Sequence, residues 1–420
     1  MNSGSETIEA LANSKVSFED AWRFIIKVGV AAHRYGSTAT RLESFLVGLA
    51  KRFGYQGLFR STPSEIVFAL REGSDLPQRV EVIATPAPDV NLDKLARLGD
   101  LLNEYNGGTM SLTEASARID MIEQVPPPWG RFASMLGYAL TGLGLAPLLG
   151  GGWSDTLFAT LFSMLVYGVV LLSGRIGAFA TMWLPLSSAF VVGVLATVVK
   201  LWVPELNLVL VILSAVAIIL PGYTISLGAG ELVTQHIVSG AANLMSGLVC
   251  LVKQIAGGWL GIVTASVVVS GTSAVGATTP VDQVWVQLLF PLLLVGLSLA
   301  FQTSRRDLPW AVLVSGIAYL GIMAGSSMLD ANLGNLFGTI IAVVIANLWS
   351  RQTGRPTSIV LIPAIVMLVS GTIGFRGLAS MAGGDLLVGA QQFLQMFVVA
   401  MTIVAGIVVG HTIIRPESGL

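Results

Sequence analysis

Residues 206–231 read LNLVLVILSAVAIILPGYTISLGAGE. From Leu208 to Leu220 the only polar residue is Ser214; then Pro221 and Gly222 interrupt the run, which resumes through Tyr223, Thr224, Ile225 and Ser226 and ends on Glu231. An apolar run of this kind suits a bilayer crossing, which takes about 20 residues at about 1.5 Å each. Proline removes a backbone donor and clashes with the turn before it, and glycine tolerates an unwound chain. Irregular backbone at membrane depth survives only where protein buries it or where it lines a wet cavity. The stretch therefore predicts a spanning helix broken inside a membrane protein, with Pro221, Gly222, Thr224 and Ser226 offering hydroxyls and free backbone groups to a small polar solute. The simpler alternative is that Pro221-Gly222 ends a helix at the surface.

The whole chain agrees with a membrane reading: of 420 residues, 54% are hydrophobic and only 11% charged, where soluble domains carry about a quarter charged. A net charge of −1 leaves no basic surface for nucleic acid. Cys250 stands alone, so no disulfide framework exists. The charge is uneven. Residues 1–131 hold 30 of the 47 charged residues and the other 289 residues hold 17. The run Pro126, Pro127, Pro128 marks the boundary, since consecutive prolines make a stiff spacer. The first 25 residues are polar and acidic without an apolar core, so no secretory signal is expected and residues 1–130 are expected in the cytoplasm.

Ten apolar stretches are long enough to span, at 132–150, 156–174, 176–199, 206–227, 237–270, 284–301, 308–329, 332–349, 357–374 and 386–414. With both termini inside, Arg175, Arg305, Arg306, Arg351, Arg355 and Arg415 fall on the cytoplasmic side, and only Lys200 and Arg376 fall outside, as short basic loops require. A shift of 149 residues superimposes Gly222 on Gly371, Gly240 and Ala241 on Gly389 and Ala390, and Ala256, Gly257 and Gly261 on Ala405, Gly406 and Gly410. Five spans per copy is an odd number, so the second copy must run inverted. The expectation is a polytopic α-helical membrane protein with ten transmembrane helices in two five-helix inverted repeats (131–275 and 276–420) and an N-terminal soluble α/β domain. Such repeats are common in transporters that rock around a site near the midplane. The partner of the first break lies at Val369, Ser370, Gly371 and Thr372.

Ionisable groups in a membrane segment need a partner or a wet cavity. Glu231 and His236 lie between spans four and five, and the shift places His236 on Asp385; these three are the candidates for proton coupling. Lys253, amid Cys250, Leu251, Val252 and Ile255, could pair with Glu231, attract a substrate carboxylate, or snorkel to an interface. Asp282, Asp330 and Glu205 read as loop residues in water. Enzymatic motifs are missing: there is no G-x-S-x-G elbow, Walker loop or H-E-x-x-H, and His33, His236 and His411 are too dispersed for a metal cluster. Neither a cofactor nor a metal is expected, and transport would run on an ion gradient or on the solute's own.

In the N-terminal domain, amphipathic spacing predicts helices at 17–35 and 38–54, strands at 58–61, 66–71 and 80–84, and helices at 90–105 and 111–123, the last capped by Ser111 or Thr113. The join between the first two helices holds Gly36, Ser37, Arg41 and Glu43, read as a helix junction with Ser37 as cap and Arg41 and Glu43 on its exposed side.

Gly36-Ser37-x3-Arg41-x-Glu43, then Phe59 to Thr62-Pro63, the prolines at 126–128, and ten spans with Pro221-Gly222 and Ser239-Gly240 resemble the threonine/serine exporter family over nearly the whole chain. The resemblance implies a secondary exporter in the bacterial inner membrane that moves threonine and serine outward on the proton-motive force. Some relatives divide the two parts between subunits and are associated with succinate export. This chain has Ser370-Gly371 where the family often has Pro-Gly, and Glu231 where an aspartate is more usual. Expected partners are a small amino acid, protons and the bilayer, with a homodimer allowed. The alternatives are a dicarboxylate exporter using Lys253 and Arg376, and a ligand-gated channel.

Overall fold

The computed structural model describes residues 16–86, 88–268, 276, 278–328, 331–367 and 370–416. Asp330 and Val369 lie outside the described residues, as does the side chain of Ser370.

The N-terminal unit runs α1 (Phe18–Arg34), α2 (Ala39–Arg52), β1 (Gln56–Ser61), β2 (Glu65–Arg71), β3 (Arg79–Ala84), α3 (Leu92–Asn106) and α4 (Leu112–Gln124). The strands form one antiparallel sheet in the order β1-β2-β3. One face of the sheet, with Phe59, Ile66, Phe68 and Leu70, packs against Trp22, Phe24, Ile25, Leu42 and Leu46 of the first two helices. Ser17 caps α1 through the Asp20 N–H, and Ser111 caps α4 in a reciprocal box with Glu114, satisfying donors a helix start leaves open. Thr62 and Pro63 form the β1-β2 turn, closed by the Thr62 N–H on the Glu65 carbonyl at 2.9 Å. The cap of α2 is Thr38, not the expected Ser37. Gly36 sits at φ +98°, so the chain reverses one residue earlier than a serine cap needs, and Ser37 is buried.

The membrane body comprises α5 (Arg131–Leu148), α6 (Trp153–Ile176), α7 (Ala178–Met182), α8 (Leu184–Val199), α9 (Leu208–Ala215), α10 (Gly222–Val233), α11 (Ile237–Ser266), α12 (Gln283–Ala300), α13 (Leu308–Met328), α14 (Ala331–Thr353), α15 (Ser358–Met367), α16 (Ser370–Ala382) and α17 (Leu386–Ile413). Among the described residues seven helices are long and apolar enough to cross a membrane, and α9 with the turn and α10 makes an eighth if that pair, bent by 65°, is one span. The other two expected spans fall on α5 and α8. The first carries Arg131 at its start and Pro147 inside; the second has 16 residues, fewer than a full crossing takes. Both are packed against neighbouring helices. Gly137 and Gly144 bring α5 onto α12, while Gly257 and Gly261 bring α11 onto α8, close enough that an added Cβ would strike backbone. The outer hull shows apolar side chains such as Phe179, Val238 and Leu387, each more than 70% exposed, which is the signature of a lipid-facing surface.

The helix pairings of the first half recur in the second. α8 packs on α11 and α14 on α17; α10 packs on α11 and α16 on α17. Gly228 meets Gly240, and Gly377 meets Gly389 at the same separation in sequence. Helices α11 and α17 begin 149 residues apart, capped by His236 and Asp385.

The N-terminal unit docks on one end of this body. Arg355, before α15, holds Asp100 of α3 at 2.6 Å and Asp307, before α13, at 2.5 Å. The Trp129 indole donates to the Thr303 carbonyl at 2.7 Å, and the Leu92 and Asp93 N–H groups donate to the carbonyls of Phe301 and Gln302. The same end carries the C-terminal Arg415, whose carbonyl accepts from Arg351.

Candidate functional site

The broken span sets the geometry. After α9 the chain makes a short 3-10 turn, Ala217–Ile219, and an extended Leu220 before Pro221 restarts the helix. The break frees carbonyls, and the buried Gln254 of α11 donates to that of Ile219 at 2.9 Å, as backbone interrupted at membrane depth requires. Pro221 is buried, so the break lies within protein and not at a surface helix end. Gly371 of α16 lies against it: a Cβ there would be 2.9 Å from the Gly222 nitrogen. The first break and α16 therefore cross in contact. The space at the crossing is about 40 Å³, lined by Gly222, Gly371, Thr372 and Thr141, room for a few waters at about 10–15 Å³ each.

The large cavity lies elsewhere, between α2 of the N-terminal unit and α10, α15 and α17 of the body. Its volume is about 620 Å³, within the range of small-molecule sites. Ser44 and Arg52 stand at its exposed rim, and Tyr223, Ser226 and Ile365 lie further in. Tyr223 also lines the space at the crossing. It is the partition between the two.

Glu231 and the helix-join motif meet at this cavity. The Glu231 carboxylate, 3% exposed, accepts from Ser239 Oγ at 2.7 Å, from Asn243 Nδ2 at 2.8 Å and from the Ala39 N–H, the first of α2, at 3.3 Å. An anion at a helix N-terminus gains from the helix dipole, so Glu231 ties the membrane body to the N-terminal unit. His236 extends the network. Its Nε2 is 3.3 Å from Glu43 Oε2, and its Nδ1 is 3.5 Å from Thr40 Oγ1. Glu43 in turn accepts from Arg60 at 2.7 Å and from the Ser61 N–H at 2.9 Å. Behind them His33 lies 3.3 Å from Ser61 Oγ, and burial lowers its pKa.

Arg41 and Glu43 were expected on an exposed helix face; instead Glu43 is 7% exposed and Arg41 points into the cavity, donating to Ser358 Oγ at 2.9 Å. The face that is polar in an isolated domain is the one the membrane body covers. Arg41 is partly exposed, but only to the cavity it lines. It lies deep enough in the protein that burial lowers its pKa.

Ser226 lines the large cavity, Gly222, Gly371 and Thr372 line the crossing, and Thr224 lines neither. Asp385 caps α17 through the Val388 N–H at 3.3 Å, away from Glu231 and His236. Lys253 donates to the Met182 carbonyl at 3.1 Å and lies 5.2 Å from the centre of the Trp183 ring, so it lines neither cavity and makes no pair with Glu231. Of the ligands of Glu231 on α11, Ser239 entered the sequence reading only as part of the family resemblance, and Asn243 escaped it. Their spacing of four in an apolar helix was the available signal.

The model of a family described as "Putative threonine/serine exporter" matches residues 23–265, and that of "Threonine/Serine exporter, ThrE" matches 287–413. Among curated proteins, a threonine/serine exporter of Corynebacterium glutamicum is 23% identical over 78% of this chain and 68% of its own length. Pheromone-regulated membrane protein 10 of Yarrowia lipolytica is 22% identical over 87% of this chain, and that of Candida albicans 24% identical over 84%. The chain spans about a third of the length of these yeast relatives, 31% and 33%. No solved structure matches significantly.

Proposed function

Because the chain belongs to the threonine/serine exporter family, we propose that it is a secondary-active exporter of small polar amino acids, threonine and serine foremost, driven by protons. The observation that carries this reading is the cavity of about 620 Å³ closed between the N-terminal unit and the body, with the buried Glu231 carboxylate on its wall. A cavity that opens at one end and stops at the tightly packed crossing is what one state of an alternating-access carrier needs. In this reading the solute enters past Arg52, meets Arg41 and Glu231, and passes Tyr223 when the first break and α16 part.

The body is two five-helix repeats of opposite orientation, split near residue 275. In support, the pairings α8-α11 and α14-α17, and the contacts Gly228-Gly240 and Gly377-Gly389, recur at the shift of 149 residues first seen in the sequence. The N-terminal unit and both termini face the cytoplasm of a bacterial inner membrane. In support, the unit packs on the end that carries Arg305, Arg351, Arg355 and Arg415, as the excess of positive charge on inner loops predicts.

Glu231, with His236 beside it, carries the coupled proton. A proton on Glu231 removes the acceptor that holds the start of α2, which links protonation to the seating of the N-terminal unit. Asp385 lies apart and takes no part in this mechanism. Of the cations expected to hold a dicarboxylate, neither Lys253 nor Arg376 lines the cavity, and Arg52 stands at its exposed rim, engaged with Asn106. The deciding test is efflux of labelled threonine from loaded proteoliposomes under an imposed pH gradient, with serine and succinate as competitors. Gradient-driven efflux that serine inhibits and succinate does not is expected. Ohmic current without saturation, or competition by succinate alone, would sink the reading.

A further inference from the structure

Among the described residues Arg41 is a cation without an acid. In the N-terminal unit Arg23, Arg34, Arg60, Arg79, Arg97 and Arg118 each hold a carboxylate within 2.9 Å, while Arg52, exposed, and Arg71 bond to the neutral Asn106 and Gln56. Arg41 has no ion pair among the described residues, and its one side-chain partner there is the neutral hydroxyl of Ser358. It lies on the wall of a cavity whose inner part is formed by Leu361, Ile362 and Ile365.

A guanidinium stays protonated in proteins, and an unneutralised charge away from bulk water is costly. That cost falls when an anion enters. The planar fork offers five N–H donors in a geometry that matches a carboxylate, and Ser358 engages Nη1 only. Glu231 lines the same cavity, its carboxylate on the Ala39 N–H two residues from Arg41, so the site offers a cation for a carboxylate and an anion for an ammonium, the pattern complementary to a zwitterion.

We propose that Arg41 binds the α-carboxylate of the transported amino acid, so that the N-terminal unit completes the solute site and is part of the carrier itself. This rests on the exporter reading above. Arg41 acts on the solute directly, and Ser358 is a positioning residue that aims it.

The test compares efflux of threonine with that of threoninamide, which keeps the hydroxyl and the ammonium but lacks the anion, in proteoliposomes of the full chain. The wild-type protein is expected to prefer threonine by at least about tenfold in kcat/KM, the scale of one charge-assisted contact. In Arg41→Gln, threonine efflux should lose about tenfold to a hundredfold, mainly through KM, while threoninamide changes by less than about twofold, so the preference collapses. Arg41→Lys, which keeps the charge but not the fork, should recover part of it, and it carries the same test if Arg41→Gln does not fold. Equal losses for both solutes would make Arg41 structural and overturn the proposal, as would a threonine preference that survives in Arg41→Gln. A wild-type protein that moves neither threonine nor serine would instead overturn the exporter reading on which the proposal stands.

Discussion

At the junction beneath the N-terminal unit, α2, α10, α15 and α17 stand apart around about 620 Å³; Arg41 and Glu231 line that space, and Glu43 and His236 pair beside it. Where the first break crosses α16, Gly222 and Gly371 touch and about 40 Å³ remains. Charged side chains hold elements apart because each needs hydrogen-bond partners or water, whereas glycines let backbones meet. The first region is built to hold something. The second is built to close, and in a carrier that rocks it is the place where closure is undone.

The most damaging change at the junction is Glu231→Gln. The amide keeps the shape but cannot cycle a proton, and it replaces charge-assisted hydrogen bonds worth about 1.5–3 kcal/mol, so gradient-driven threonine efflux should fall more than tenfold. Unchanged flux would remove Glu231 from the mechanism. Arg355→Ala attacks the seam that shapes the cavity, leaving Asp307, with its side chain 2% exposed, as an unpaired buried charge. A loss of about 3–5 kcal/mol is expected, measured by denaturation in detergent together with protease access to the segment 125–130. Gly371→Ala strikes the crossing. Its Cβ would fall 2.9 Å and 3.0 Å from two Gly222 backbone atoms, so a cost of about 1–3 kcal/mol is expected, while Gly48→Ala, inside α2 with open space around it, should raise the melting temperature slightly, as alanine suits a helix interior better than glycine.

Smaller still is a pH effect behind the junction. His33 has its pKa lowered by burial, so the unfolded chain binds that proton more readily than the folded one. The stability it confers is complete above the ordinary value near about 6.5 and is lost as pH falls through that value toward the lower folded one. Melting temperatures taken from pH 8 to pH 5 should decline on the acid side, and His33→Gln should flatten that limb. The least effect belongs to Lys253→Ala. An exposed cation over an indole is worth about 0.5–1 kcal/mol, and efflux should stay within twofold; a large loss of flux would return Lys253 to the solute path and blur the contrast between the two regions.

The N-terminal elements were legible because amphipathic periodicity is local: the helix expected at 17–35 is Phe18–Arg34, and the strand expected at 80–84 is Arg79–Ala84. The break at Pro221-Gly222 was legible for the same reason. What the sequence could not place was the meeting of distant parts. Arg41 and Glu43 lie on a face that is polar by any local rule, and only the docked body makes that face interior. Arg355 read only as a loop residue that orients spans, and Asp307 was not singled out, since an ion pair between two separate loops leaves no period to read. Lys253, the sharpest candidate by burial in an apolar run, reaches Trp183 along its own flexible stem, which spacing alone does not reveal.

The six residues 125–130 between α4 and α5 hold the three prolines and Trp129, whose indole is fastened to Thr303 and covered by Arg305 at 5.3 Å. So short and pinned a tether keeps the docked unit at an effective concentration of about millimolar or more, which makes the seating of Arg41 independent of how much protein a cell makes. Cutting the chain there would turn an intramolecular fit into a second-order encounter, and transport by the two pieces would then rise with the amount of the smaller one until the membrane pieces were saturated.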